Sequence, residues 1–245
     1  MPEYLSWDKI TITDFSDENI DSHYQRGYVF TRVGKGVMVQ TRSVRVNLAE
    51  FETSSENRRI LRKVEDLTIS WEPIPYEHYS WEIGKMVKDF YAEKFGEGTF
   101  SANKAREIFT DAQKSNFNLL LRYARIEQPT HCITYGENPP IRMPSPKTND
   151  ELHTKIVDGY AIGYETGTLL HYSYPFYNLS TEIQNMGMGM MLLAIISAKH
   201  WGKKYMYLGS AQRPGDIYKL QFKGLEWFDG ETWNTGTDEL KNILK

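Results

Sequence analysis

Apolar and polar residues in the first part of the chain predict a hairpin followed by a short helix. The stretches 28–33 and 37–48 are rich in β-branched and aromatic residues and flank Gly34-Lys35-Gly36, which is the pattern of two antiparallel strands around a turn. Polar side chains over 53–56 then precede the basic stretch 58–64. They can cap a helix, so a short helix with arginines along one side is expected there.

The middle of the chain alternates between strand and helix patterns. Apolar residues occupy every second position over 66–72, which predicts a half-buried strand, and recur at three- and four-residue steps over 83–95, which predicts an amphipathic helix. Ser101 can cap a second helix, and the leucine-rich stretch 117–126 predicts a buried strand. The stretch 129–150 is dense in proline and is interpreted as a loop or flexible lid.

The last part of the chain is the most regular. A second hairpin is predicted over 155–164 and 168–174, followed by a glycine-containing loop, a nearly all-apolar helix over 190–201 and a strand over 204–208. Strand, loop, buried helix and strand is an α/β arrangement. We therefore expect an α/β (α+β) fold in which helices flank a mixed β-sheet.

Charge divides the chain into two regions. The net charge of the whole chain is -3, yet the segment from Arg26 to Lys63 holds nine basic and three acidic residues, which gives it a net charge of +6. A local field of that size attracts polyanions, although a solvated polar face is the alternative interpretation. We expect a small basic hairpin and helix region over 1–70 and the mixed-sheet domain over 71–245.

Composition narrows the class of protein. Hydrophobic residues make up 40% and charged residues 25%, values typical of folded globular chains. The longest apolar stretch, Met186 to Ala198, is shorter than the roughly 20 residues that span a bilayer, and the amino terminus lacks a signal-peptide pattern. The expectation is a cytoplasmic protein with no membrane partner. A single cysteine, Cys132, excludes an intrachain disulfide and a metal site that needs two thiolates from this chain.

One glycine-containing loop suggests a binding function. Residues 184–189 read Q-x-x-G-x-G through Gln184, Gly187, Met188 and Gly189, directly before the apolar helix. Glycines there let backbone N–H groups approach a phosphate or carbonyl oxygen at a helix amino terminus, although tight helix packing explains them equally well. The loop resembles the acyl-donor loop of the GNAT acyltransferase superfamily, and this resemblance implies a GNAT-like sheet.

Collinear short motifs from Arg26 to Trp233 carry a second resemblance. The segment Arg45-Val46, Phe51 and Ser55-x-x-Arg58-Arg59 is similar to the amino-terminal part of arginyl- and leucyl-tRNA–protein transferases. Further segments resemble the GNAT-like carboxy-terminal region of that family in order and spacing: 158–163, 174–177, 187–189, 205–209, 218–223 and 228–233. Members commonly carry a cysteine cluster implicated in metal or iron–sulfur binding, and residues 34–45 of this chain contain no cysteine. No metal site and no cofactor is therefore expected.

The resemblance implies an aminoacyltransferase that moves arginine or leucine from aminoacyl-tRNA to the amino-terminal amine of proteins beginning with Asp or Glu, marking them for degradation. The implied partners are charged tRNA and a protein with an acidic amino terminus. An α-amine with a pKa of about 7.7 to 8.0 is partly neutral at pH 7 and can attack the activated ester. The basic residues expected to hold tRNA phosphates or the acidic acceptor are Arg26, Arg45, Arg58, Arg59, Arg62, Lys219 and Lys223.

The sequence does not assign the general base. Tyr172 and Tyr174 are expected to project from a strand toward the glycine loop and are candidates to relay a proton, although tyrosines there commonly serve packing. Glu165 is a weaker candidate because it lies at a predicted hairpin turn. Two other functions stay open: a CoA-dependent N-acyltransferase that uses acetyl-CoA, suggested by Q-x-x-G-x-G alone, and a non-catalytic module that binds acidic amino termini.

Overall fold

The computed structural model describes residues 5–125, 132–133, 141–142 and 156–245. Its described strands form a mixed sheet of ten strands and a separate antiparallel sheet of three. The helices are α1 (Asp17–Gln25), α2 (Ser55–Lys63), α3 (Trp81–Phe95), α4 (Ala102–Thr110), α5 (Met186–His200), a 3₁₀ helix (Pro214–Gln221) and α6 (Thr237–Ile243). The strands are β1 (Asp8–Thr11), β2 (Tyr28–Phe30), β3 (Val37–Gln40), β4 (Ser43–Asn47), β5 (Leu67–Pro73), β6 (Leu119–Arg125), β7 (Cys132–Ile133), β8 (Ile141–Arg142), β9 (Val157–Glu165), β10 (Leu169–Tyr177), β11 (Tyr205–Ser210), β12 (Leu225–Phe228) and β13 (Trp233–Asn234).

The predicted amino-terminal hairpin is confirmed, but its second strand is shorter than expected. β2 and β3 pair antiparallel, and β1 pairs with the other side of β3. The expectation of one strand over 37–48 is wrong because the chain bends after Gln40. Ser43 donates its backbone N–H to the carbonyl of Thr41 at 2.6 Å, and Thr41 donates its hydroxyl to the carbonyl of Leu5 at 2.7 Å. Beyond this bend the chain enters the large sheet as β4.

The large sheet contains strands from both halves of the chain. Its order is β13-β12-β4-β11-β10-β9-β6-β5-β8-β7. β4 pairs antiparallel with both β11 and β12, so the predicted region 1–70 contributes a strand to the sheet of the predicted domain 71–245. The division at residue 70 stays a prediction.

Helix α2 begins with a reciprocal cap. The Ser54 hydroxyl accepts a hydrogen bond from the Asn57 backbone N–H at 3.1 Å, and the Ser54 backbone N–H donates to the Asn57 side chain at 3.2 Å. This capping box satisfies donors that a helix start otherwise leaves unpaired. The short basic helix expected from the sequence is therefore confirmed, and it begins at Ser55.

Helix α5 lies in the core between the sheet and α2. Eleven of its fifteen residues are buried, from Met186 through Ala198, as expected for a helix that is apolar all round. Trp71 donates its indole N–H to the Ser197 hydroxyl at 2.8 Å, which satisfies a polar group on the buried helix. The helix begins four residues earlier than the sequence predicts, at Met186 rather than residue 190.

The arrangement around α5 confirms the predicted fold class. β9 and β10 form an antiparallel hairpin, α5 follows, and β11 then pairs parallel with β10. The protein is thus an α/β chain in which helices flank a mixed sheet. Apart from β7 and β8, the predicted proline-rich loop 129–150 lies outside the described residues. Among the described helices, none combines the length and the apolar composition that crossing a bilayer requires.

Candidate functional site

The sheet opens where two parallel strands separate. β10 and β11 pair only through Leu169–His171 and Tyr205–Tyr207, whereas β10 continues to Tyr177 and β11 to Ser210. We call the space beyond His171 the β10/β11 opening. Because parallel strands point the same way, their carboxyl ends and the start of α5 lie at the same edge of the sheet. This edge is where an open α/β sheet ordinarily binds its ligand.

A β-bulge shapes the wall of this opening. The register of β10 against β9 shifts between Tyr172 and Tyr174, so the intervening Ser173 has no partner in that ladder. A bulge adds one residue to a strand and redirects its neighbours. Tyr172 packs in the core cluster that contains α5, and Tyr174 packs against the other cluster. The side chains of Tyr172 and Tyr174 therefore lie in different hydrophobic clusters, rather than together beside the glycine loop as the sequence suggests.

The first turn of α5 presents backbone N–H groups near the opening. Asn185 precedes the helix in the left-handed region with φ of 61° and makes no side-chain cap. The first N–H groups of a helix have no acceptor within it, and they concentrate the positive end of the helix dipole. The turn can therefore bind an anionic or carbonyl oxygen.

The two glycines of this loop have different surroundings. A methyl group at Gly189 would lie 2.4 Å from Val64 Cγ1, so this glycine is required for the close contact between α5 and α2. A methyl group at Gly187 would lie 3.4 Å from Cε1 of Tyr177, which is an ordinary contact. The packing interpretation therefore explains Gly189. Gly187 is half-buried and stays a candidate for contact with a donor.

Lys219 places a buried ammonium at the end of β11. It lies on the 3₁₀ helix, is 8% exposed, and donates a hydrogen bond to the carbonyl of Ser210 at 2.6 Å. Asp216 lies 3.4 Å from its Nζ. Burial lowers the pKa of Lys219 from the ordinary 10.5, and Asp216 opposes this shift. Its charge is therefore held in a poorly hydrated position next to the opening.

Tyr172 contributes a buried phenol from strand β10. The residue is 2% exposed, and its hydroxyl has no partner in hydrogen-bonding geometry. The nearby Tyr123 hydroxyl, which interacts with that of Tyr172, donates its proton to the Met190 carbonyl at 2.9 Å. Burial raises the pKa of Tyr172 well above 10.0, so the phenol keeps its proton. A buried polar group of this kind ordinarily has a partner, such as water or a ligand.

His171, the neighbour of Tyr172 on β10, is buried and held neutral. It is 1% exposed, and its Nδ1 lies 2.9 Å from the hydroxyl of Tyr24. Burial, with a smaller effect of the Lys219 charge, lowers the pKa of His171 to about 3. Local sequence patterns cannot predict this pair, because Tyr24 and His171 are 147 residues apart.

The side chain of Arg45, one of the predicted tRNA-binding residues, is buried and paired within the protein. It is 6% exposed and pairs with Glu226 at 2.6 Å. Its guanidinium lies 3.8 Å from the ring centroids of both Tyr205 and Trp233, and it donates to the Tyr207 hydroxyl at 3.0 Å. These contacts occupy its charge and both of its faces.

The other predicted basic residues lie on α2 and at two further places in the chain. Helix α2 carries Arg58, which is half-buried and donates to the Thr53 carbonyl at 2.9 Å, Arg59, which is exposed and paired with Glu56 at 2.6 Å, and Arg62, which is exposed near the helix end. Arg26 is exposed and lies 2.8 Å from Nδ1 of His23, and Lys223 is exposed and paired with Glu52 at 2.7 Å. A tRNA-binding role for these residues stays a prediction.

The remaining predicted residues lie at opposite ends of α5. Gln184 is exposed and accepts a hydrogen bond from Lys63 at 2.8 Å, next to the start of α5. Met188 is half-buried, with its sulfur 3.6 Å from Nε2 of Gln221. Glu165 is the last residue of β9, lies opposite Leu170 of β10, and pairs with Lys203 at 2.8 Å. It therefore lies beside the paired part of β10 and β11, at the end of β10 away from the start of α5.

The described residues provide no metal centre of their own. Within the described ranges, no group of three or more His, Cys, Asp and Glu side chains is placed to hold a metal ion. The polar groups described above near this edge of the sheet are the Lys219 ammonium, the Tyr172 phenol and the first N–H groups of α5. These groups bind and orient a polar substrate and stabilise a developing negative charge.

Comparisons with known proteins give similarities of fold. No protein-family model and no curated protein matches this chain. L-PGS from Bacillus licheniformis is 14% identical with a TM-score of 0.42, covering 78% of this chain and 49% of that one. FemX is 11% identical with a TM-score of 0.41, covering 80% of this chain and 60% of that one.

A third solved structure is the C-terminal domain of a putative lysylphosphatidylglycerol synthetase from Agrobacterium fabrum. It is 10% identical with a TM-score of 0.41, covering 84% of this chain and 55% of that one. This chain thus spans between about half and three-fifths of the length of these three structures. Membership of the tRNA–protein transferase family stays a prediction.

Proposed function

We propose that this protein is an acyltransferase that moves an aminoacyl group from aminoacyl-tRNA to an amine. The observation that carries the proposal is the pair of buried polar groups at the β10/β11 opening. The Lys219 ammonium and the Tyr172 phenol both lie where the two parallel strands separate. A buried polar group without a hydrogen-bond partner is costly, so the Tyr172 hydroxyl is expected to meet a bound partner.

The proposed reaction needs no covalent intermediate on the protein. The acceptor amine attacks the ester carbonyl carbon, a C–N bond forms, and the C–O bond to the terminal ribose of the tRNA breaks. The ammonium of Lys219 stabilises the oxyanion that develops on the carbonyl, an effect that is large in a buried site. The Tyr172 hydroxyl donates its proton to the leaving ribose oxygen and regains one from the attacking amine.

The finer proposal concerns donor and acceptor. The collinear resemblance to arginyl- and leucyl-tRNA–protein transferases supports arginine or leucine as the transferred amino acid and a protein beginning with Asp or Glu as the acceptor. Arg62 supports a tRNA donor because it is exposed at the end of α2 that lies beside Gln184. Arginines in such positions contact phosphates and orient a nucleic acid without reading its sequence.

A CoA-dependent N-acyltransferase is the second candidate. The observation that favours it is the uncapped first turn of α5, where Asn185 makes no side-chain cap and Gly187 leaves space beside Tyr177. Such a turn binds phosphate groups. Lys219 and Tyr172 would then act on the thioester of acetyl-CoA instead of the ester of aminoacyl-tRNA.

A transfer assay separates these functions. Radiolabelled arginine or leucine, each on its cognate tRNA, is offered with peptides beginning with Asp, Glu or Ala, and labelled acetyl-CoA is offered in parallel. Transfer from tRNA to the acidic peptides is the expected result. Transfer from acetyl-CoA alone would replace the proposal with the second candidate. Binding of the peptides with no transfer from either donor would indicate a non-catalytic module.

A further inference from the structure

Tyr177 is the last residue of β10 and lies beside the first turn of α5. A methyl group at Gly187 would lie 3.4 Å from Cε1 of Tyr177 and 3.9 Å from its hydroxyl oxygen. The phenol therefore lies over the side of the helix that carries Gly187. The proposed reaction assigns no task to this hydroxyl, although it borders the proposed donor site.

The ring of Tyr177 is held in place by its neighbours. Gly159 lies opposite it in the β9–β10 ladder, where a methyl group would come within 2.8 Å of Cβ of Tyr177. The ring of Phe90 packs edge-on against the ring of Tyr177, with centroids 4.8 Å apart. The Tyr177 side chain is half-buried. Its hydroxyl is thus oriented by the fold, which lowers the entropy lost when a ligand binds.

Backbone N–H groups lie beneath the same hydroxyl. The Gly189 N–H donates to the carbonyl of Asn185 at 2.8 Å, so the N–H groups of Gly187 and Met188 come before the first regular bond of the helix. Such groups have no acceptor within the helix. A phenol both donates and accepts a hydrogen bond. A ligand hydroxyl placed here can therefore accept from a helix N–H and donate to the phenol.

The phenol of Tyr172 borders the same side of α5. Burial is the main cause that raises the pKa of Tyr172, and neighbouring phenols, Tyr177 among them, add to it, so the two hydroxyls are within electrostatic reach of each other. In the proposed reaction, Tyr172 gives its proton to the ribose oxygen that leaves the acyl group. The next ribose carbon carries a free hydroxyl. Tyr177 is the second phenol available beside that position.

We propose that Tyr177 binds this free ribose hydroxyl of the donor and thereby selects a ribonucleoside ester. The phenol accepts a hydrogen bond from the ribose hydroxyl, and the N–H of Gly187 or Met188 donates to the oxygen of that hydroxyl. A ribose hydroxyl donates and accepts, which lets a protein distinguish ribose from deoxyribose. The thioester of acetyl-CoA has no hydroxyl next to its sulfur, so that donor cannot make this contact. The inference rests on the proposed function, because its ligand is the donor of that reaction.

Binding of a stable donor analogue measures the contact without any transfer. The analogue is an aminoacyl-adenosine in which an amide on the ribose replaces the ester, prepared with and without the neighbouring ribose hydroxyl and in leucyl and arginyl forms. Calorimetric titration of the full chain should show saturable binding that is about tenfold tighter with the hydroxyl, the usual effect of one hydrogen bond. Equal affinity for the hydroxyl and deoxy forms, or no saturable binding of either, would overturn the inference.

Substitutions in the protein assign the contact to Tyr177. Tyr177→Phe keeps the ring between Gly159 and Gly187 and should lose the preference for the hydroxyl form, while its affinity for the deoxy form stays constant. A change in packing alone would weaken both forms. Tyr79→Phe is the matched control, because Tyr79 is also half-buried and its hydroxyl lies 2.5 Å from a methyl position on a helix glycine, Gly84. A preference that persists in Tyr177→Phe, or an equal loss in both variants, would contradict the assignment.

The transfer assay distinguishes failure of this inference from failure of the proposed function. A preference for the hydroxyl form that depends on Tyr177, without transfer from any donor, would disprove the proposed function and leave the ribose contact standing. Transfer from aminoacyl-tRNA by a protein that binds the hydroxyl and deoxy forms equally would support the function and overturn the role of Tyr177.

Discussion

The two buried cations beside β11 are held in contrasting ways. Arg45, next to the amino-terminal half of that strand, has an ion pair with Glu226, a hydrogen bond to Tyr207 and two aromatic faces. Lys219, at its carboxyl end, has one carbonyl and a carboxylate at 3.4 Å. The first cation is fully satisfied by the fold. The second has the smaller set of partners.

This difference separates a structural charge from a functional one. A buried charge that stabilises a fold needs a full set of partners, because desolvation otherwise outweighs the attraction. A buried charge with fewer partners keeps part of its field for a substrate. We therefore expect substitutions at Arg45 to act on stability and substitutions at Lys219 to act on transfer.

The largest expected effect is on stability. Arg45→Met removes one partner of a buried ion pair and leaves Glu226 uncompensated, so the free energy of unfolding should fall by about 3–5 kcal/mol. Chemical denaturation measures this, with Arg106→Met, at an exposed helix position, as the control. The double variant Arg45→Met/Glu226→Leu should recover much of the loss. A single variant as stable as wild type would show that Arg45 is not the structural cation.

The next effect is on transfer. Lys219→Met should lower the rate of transfer by about 100- to 1000-fold, the usual consequence of losing a group that stabilises an oxyanion. Asp216 keeps hydrogen bonds from the backbone N–H groups of Gln212 and Arg213, so the fold should persist. The control is Lys203→Met, because Lys203 has the same 10% side-chain exposure and a carboxylate partner at the far end of α5. Equal losses in both variants would refute a specific role for Lys219.

The pH dependence tests the charge of Lys219. Burial lowers the pKa of this lysine from 10.5, so the ammonium is lost at a lower pH in the folded than in the unfolded state. Single-turnover transfer should therefore fall as the pH rises through the folded pKa. The free energy of unfolding should rise over the same window, because there the unfolded state binds the additional proton. Lys219→Arg should shift the fall in transfer to higher pH; an unchanged profile would contradict the assignment.

The two glycines of the loop provide a smaller contrast. Gly189→Ala should lower the free energy of unfolding by about 1–3 kcal/mol because the added methyl overpacks the contact with Val64. Adding Val64→Ala should restore part of that loss. Gly187→Ala has room for its methyl group and should leave thermal stability unchanged while weakening donor binding. Equal stability of the two single variants would remove the structural distinction between the glycines.

The smallest effect is expected at Tyr172. Tyr172→Phe removes a hydroxyl that has no partner in hydrogen-bonding geometry, so the free energy of unfolding should stay constant or rise. Transfer should fall about tenfold, the cost of one hydrogen bond of roughly 1.4 kcal/mol. Tyr123→Phe, which removes a satisfied hydroxyl, should instead lower stability. A loss of stability in Tyr172→Phe with normal transfer would make this phenol structural.

Periodicity and turn residues were sufficient to predict most elements. The spacing of apolar and capping residues predicts α2, β9, β10 and α5. The tertiary contacts of these elements agree with that spacing. The bend after Gln40 was missed because the residues on both sides favour strands. It depends on Thr41 bonding to Leu5, a contact that local patterns do not contain.

The site was harder to predict than the fold. Lys219 and Lys223 were both expected to hold tRNA phosphates or the acidic acceptor, but Lys219 lies within a 3₁₀ helix and is buried, whereas Lys223 follows that helix and is exposed. The charge of Arg45 led to the expectation that its side chain binds tRNA or the acidic acceptor. Its strand lies between β11 and β12, and the aromatic neighbours that cover it come from 160 or more residues away.

Backbone hydrogen exchange in the presence of a non-hydrolysable aminoacyl-adenosine amide tests the central claim most directly. If the β10/β11 opening holds the donor, exchange should slow at Ser173, at Gly187 and Met188, and around Ser210, and stay unchanged at Arg45 in β4. Protection confined to other parts of the chain, with normal exchange at the opening, would contradict the assignment of this site.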